Sequence, residues 1–195
     1  LISLVIVLYA LLPFFMAFEG RKPEVRELVV LATMIALATA GRAAFFMTPS
    51  FKPIIAIVII SAIAFGAEAG FLVGSMTMLV SNFLFGQGPW TPWQMFAMGF
   101  IGFLSGILYR LRILPTKRLQ LSVYGFLVTF MIYGGIMNPA ALFMSVYQFS
   151  WSGLLAIYIS GVPVDLVHAS STFLFLWIGA KPLLEKLQRI KVKYG

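Results

Sequence analysis

The chain has 195 residues, 61% of them hydrophobic and only 10% charged, with a mean hydropathy of +0.99. Soluble domains carry about 25% charged residues, so a water-soluble globular fold is excluded. The net charge of +8 would suit nucleic acid, but its placement along the chain argues for a membrane surface and no nucleic acid; the lack of cysteine excludes disulfides and thiol catalysis.

Apolar stretches long enough to cross a bilayer recur along the whole chain. Seven are expected, over 1–18, 26–46, 53–66, 67–86, 92–110, 119–137 and 163–181. The first has neither a basic leader nor a clear small-residue cleavage site, so it reads as a retained helix rather than a signal peptide. The second carries Ala32, Ala36, Ala40 and Ala44. Residues four apart share a helix face, and small side chains there let another helix approach closely, either inside the bundle or from a partner. The third and fourth spans meet at Gly66 without a polar loop, which predicts short, tilted or kinked helices. Gly66, Gly70 and Gly74 form a second small-residue stripe, and Gly102 and Gly106 in the fifth span a third. Glu68 reads as a charge at a helix N-terminus.

Between the fourth and fifth spans lies Phe85-Gly86-Gln87-Gly88-Pro89-Trp90-Thr91-Pro92-Trp93-Gln94. Two prolines fix its backbone, which lowers the ordering cost of binding. Gln87, Thr91 and Gln94 offer neutral donors and acceptors beside Trp90 and Trp93, a mix that suits a bulky, amide-rich, largely uncharged ligand. The segment 138–162 stays apolar but contains Asn138-Pro139, Gln148, Ser150, Ser152 and Ser160. It is expected to be a long, partly helical loop over the mouth of the bundle. Pro163 followed by Asp165 reads as an ordinary helix start, or Asp165 pairs with Arg42 across the mouth, or one of the two contacts ligand. His168, the only histidine, lies one turn further on the same face and reads as a hydrogen-bonded core residue. The stretch 183–194 alternates basic and apolar residues, so it extends the last helix beyond the bilayer and meets anionic lipid headgroups.

Twelve of the fourteen basic residues fall between the first two spans, after the fifth and after the last. The positive-inside rule makes that face cytoplasmic, with the N-terminus outside and the C-terminus inside. The loops 47–52, 85–93 and 138–162 then share the outer face. No P-loop GxxxxGK[ST], GxSxG or HExxH run occurs, and no paired intramembrane carboxylates. The reading is therefore an all-α integral membrane protein that binds something, has no resident metal or cofactor and is not an enzyme.

Arg26-Glu27-Leu28 leading into the alanine stripe and Gly41–Phe46, Phe51-Lys52-Pro53-Ile54 through Phe71, the 81–94 stretch and Gly161–His168 together resemble the substrate-binding S components of energy-coupling factor (ECF) vitamin transporters. The likeness is closest to the cobalamin-specific S components of lactobacilli. It implies a six-helix core over 26–195, with the helix in 1–25 additional to it. It implies a vitamin, cobalamin, held under the outer loops by contacts drawn from Arg42, Phe51, Lys52, Gln87, Trp90, Thr91, Trp93, Gln94, Asn138, Tyr147 and Asp165. It also implies that Ala32, Ala36 and Ala40 dock on a transmembrane T component, with ATP bound by two cytoplasmic ATPase subunits. An S component for a pterin- or nucleobase-like micronutrient and a membrane scaffold without a small-molecule ligand remain open on the residues alone.

Overall fold

The computed structural model describes residues 2–145 and 149–194, all of whose regular structure is helical. Helix α1 spans Ile2–Gly20, α2 Val25–Ala44, α3 Ile54–Phe65, α4 Ala67–Phe85 and α5 Thr91–Arg110. Helix α6 spans Arg118–Ser145 with a π-helical turn at Thr129–Tyr133, and α7 spans Trp151–Tyr194. Five of the seven are long and apolar enough to cross a membrane.

The breaks follow from local chemistry. Gly66, between α3 and α4, has φ 97°, and Gly86, after α4, has φ 120°, a region that side-chain-bearing residues avoid. Pro92 occupies the first turn of α5, where its missing N–H costs nothing. Helix α3 has 12 residues, about 18 Å at 1.5 Å per residue, against about 30 Å for α4 and α5. Its residues from Ile54 to Ile63 are all buried, so it is the central post of the bundle. Because α3 and α4 share the Gly66 turn, the shortfall falls at the opposite end. Space is left there above Ile54, level with Met78 of α4.

Two of the three small-residue stripes pack on each other. A Cβ at Gly70 would run into Ala62 and the Gly102 carbonyl, and one at Gly106 into the backbone of Ala67. Helices α4 and α5 therefore meet backbone to backbone, as GxxxG-type faces allow. The alanine stripe behaves differently. Helix α2 buries Leu31, Met34, Ala38 and Thr39, while Ala32, Ala36 and Ala40 are exposed. Helix α1 lies against α4 and α5 through Phe14, stacked on Phe71 at 4.0 Å and edge-on to Phe103 at 4.9 Å.

The segment 138–162 is not a loop. Residues 138–145 continue α6 and 151–162 begin α7. Pro139 and Pro163 both lie inside helices, which membrane bundles tolerate because neighbouring groups satisfy the freed carbonyls. Asp165 consequently does not start a helix. It sits within α7 and accepts a hydrogen bond from Asn138 Nδ2 at 2.8 Å.

Candidate functional site

The bundle has two unlike ends. At the basic end, Arg21 pairs with Glu27 at 2.5 Å and with Glu68 at 3.3 Å, and also donates to the Phe65 carbonyl. These contacts tie the α1–α2 linker to the Gly66 turn. On the same end, Arg118 donates to the Trp177 carbonyl and lies over that indole ring, 4.7 Å from its centroid.

At the opposite end, in the space above α3, is a cavity of about 290 Å³. Ile54, Met78 and Met98 line it from α3, α4 and α5, and Met137 and Val164 from α6 and α7. Its polar wall is assembled from five segments: Arg42 from α2, Ser50 and Lys52 from the following loop, Gln94 from α5, Tyr133 and Asn138 from α6, and Asp165 and His168 from α7.

Each polar group is held by neighbours. Arg42 Nη1 donates to Ser81 Oγ and Asn82 Oδ1, both at 2.6 Å, and the guanidinium lies 5.5 Å from the centroid of the Phe85 ring. Asn82 is fully buried, and its amide donates to Thr91 Oγ1 at 3.0 Å and Gln94 Oε1 at 2.8 Å. The loop 45–53 is pinned from both sides: Lys52 Nζ donates to the Thr48 carbonyl, and Ser171 Oγ donates to the Lys52 carbonyl, each at 2.9 Å. Burial holds the Lys52 ammonium below its ordinary pKa of 10.5, and the nearby charge of Arg42 lowers it further. The Asn138–Asp165 contact depends on two glycines, since a Cβ at Gly134 would press on the Asp165 carboxylate and one at Gly161 on the Asn138 amide. His168 is 9% exposed, and its ring packs edge-on to Tyr133 at 4.7 Å.

Of the residues singled out in the sequence, Arg42, Lys52, Gln94, Asn138 and Asp165 come together on this wall. Arg42 and Asp165 share it without pairing; their partners are neutral side chains. Five others lie elsewhere. Phe51 packs on Phe45 and Phe175. Thr91 is buried as a support for Asn82. Gln87 is exposed and reaches the Leu79 carbonyl at 3.5 Å. Trp90 is 40% exposed, with its ring over Gly88. Trp93 stacks on Phe143 at 6.4 Å. Tyr147 lies outside the described residues. The sequence reading passed over Ser50, Tyr133 and the three methionines. Tyr133 and Met137, four apart, share a helix face, and that spacing was the available signal.

A second depression, about 420 Å³, lies between α2, α3 and α7. Ala40, Gly41, Ala44, Pro53 and Phe175 contribute, and every lining residue is apolar. It adjoins the alanine stripe and offers no group for polar recognition.

An all-helical, multi-pass bundle with a preformed polar cavity at one end defines a membrane-embedded binding subunit. Residues 22–189 match the S component family of ECF-type riboflavin transporters, and the chain belongs to that family. It is thus a substrate-binding subunit of an ECF importer, a class that works with a T component and ATPases, and not itself a catalyst. The match begins beyond α1. No curated protein and no solved structure matches the chain.

Proposed function

We propose that this protein captures a flavin-sized fused heterocycle, riboflavin first among candidates, in the cavity above α3. It then delivers the ligand by docking the Ala32, Ala36 and Ala40 face on a T component driven by two ATPases. The cavity itself carries the reading. Met78, Met98 and Met137 line a site whose other walls hold Gln94, Tyr133, Asn138 and Asp165. Thioethers make favourable contacts with aromatic rings, and the polar groups suit the amide edge and hydroxyl chain of a flavin. The family description names the same vitamin. The cavity, about 290 Å³, falls near the lower end of the roughly 300–1,000 Å³ range of small-molecule sites. A corrinoid is several times bulkier than a flavin, so neither the cavity nor the family favours cobalamin. Positive-inside topology puts the cavity on the outer face, with the C-terminus cytoplasmic. Helix α1 is an appended helix outside the binding unit.

The test is titration of the purified protein against riboflavin, followed by quenching of flavin fluorescence, with cyanocobalamin as the competitor. Saturable quenching that cyanocobalamin does not reverse is the expected result. Absence of quenching together with saturable cyanocobalamin binding would return the ligand to cobalamin.

A further inference from the structure

A neutral flavin leaves one property of the cavity unused. Five of the six acidic residues lie on the basic end of the bundle, and Asp165 is the only one elsewhere. The cavity holds the two cations that lie outside the basic clusters, Arg42 and Lys52. Neither forms an ion pair with a carboxylate among the described residues. Arg42 is held by a hydroxyl and an amide oxygen, and Lys52 by a backbone carbonyl. Asp165 is taken up by Asn138.

Two like charges on one wall, both partly buried, repel each other, and such a pair is costly unless something answers it. The depressed pKa of Lys52 has the same origin, burial first and the Arg42 charge second. Yet the Arg42 side chain is fixed by contacts running back through Asn82 to Thr91 and Gln94, and Lys52 is held by its ammonium at the Thr48 carbonyl and by its own backbone carbonyl at Ser171. A guanidinium is a planar fork suited to two-pronged contact with an oxyanion, and an ammonium adds a compact charge beside it. A phosphate monoester carries about −1.5 to −2 charges at neutral pH, which the two cations can share while the third charge on the wall, Asp165, is turned to Asn138.

Taking the cavity as the ligand site, we propose that Arg42 and Lys52 form an oxyanion corner, so that the protein prefers its heterocyclic ligand as the phosphate monoester.

The experiment compares riboflavin with riboflavin 5′-phosphate on the full chain, titrated at fixed low ionic strength. The expected result is a preference of about tenfold or more for the phosphate ester, equivalent to about 1.4 kcal/mol. That preference should collapse towards unity in Lys52→Gln and persist in Arg42→Lys, which keeps the charge. No preference, or a preference untouched by Lys52→Gln, would overturn the proposal. If neither flavin binds, the flavin reading fails on its own and the corner is tested without it. Pyrophosphate, compared with chloride at equal ionic strength, should then raise the thermal midpoint of the wild type and not of Lys52→Gln. Equal midpoints in all cases would overturn the oxyanion corner as well.

Discussion

The two ends of this bundle treat charge in opposite ways. At the basic end, Arg21 is answered by Glu27 and Glu68 and draws together three stretches of chain. At the cavity end, Arg42 and Lys52 are answered only by neutral oxygens. A charge matched by an opposite charge is spent on the fold. Under the proposed function, a charge held in place but not neutralised is kept for something that arrives later, and the local contacts at the two ends divide scaffold from site.

The largest effect bears on the face running between the ends. Ala36 is exposed on α2, and Ala36→Leu should bring vitamin uptake down to background while the isolated protein still binds ligand. Equal loss of uptake and binding would make the stripe part of the bundle's own packing. Next, Asn82→Leu should strip Arg42 and Gln94 of their shared support and destabilise the protein by about 3 kcal/mol, the scale of a hydrogen bond to a charged group plus a neutral one. Thermal unfolding in detergent measures this, and a near-neutral outcome would make the cavity end as self-sufficient as the basic end. By contrast, Arg21→Ala breaks pairs that are about a third exposed, so it should cost no more than about 1 kcal/mol. Ligand affinity should stay the same; a change would mean that the two ends communicate.

The smallest effect is on pH dependence. Because folding lowers the Lys52 pKa, the native state loses that proton before the unfolded state does. Stability should therefore rise between the lowered value and the ordinary 10.5 and level off above it. The stability of wild type minus that of Lys52→Met isolates the contribution, and a difference that falls with rising pH through this window would contradict the sign.

Much of the fold was legible because hydrophobic runs and basic clusters are blunt signals. The Gly66 junction was legible too, since a glycine between two apolar runs has few other uses. The segment 138–162 was misread for a physical reason. Asn138, Pro139 and Pro163 look like loop residues when water is assumed around them, but they sit in helices, where Asn138 faces a polar cavity and not solvent. The same error made Asp165 a helix start. Among the candidate site residues, Arg42, Lys52, Gln94, Asn138 and Asp165 converge on the cavity from five segments. The two tryptophans lie away from it, Trp90 on Gly88 and Trp93 on Phe143. Apolar contacts satisfy an aromatic ring in many places, whereas a charge in a bilayer has few places to go.

The π turn at Thr129–Tyr133 gives α6 two independent phases. A π turn takes up one residue more than an α turn, and one residue corresponds to about 100° of rotation. Below it and at its first residue, Gly125 and Thr129 meet Leu176 and Thr172 of α7; above it, Met137 and Asn138 face the cavity. Deleting one residue within the turn would preserve a membrane-spanning helix and its lower seam while swinging the upper half away from Asp165. The recognition surface can therefore be redrawn in evolution, or by design, without recutting the half of the helix that anchors it in the bundle.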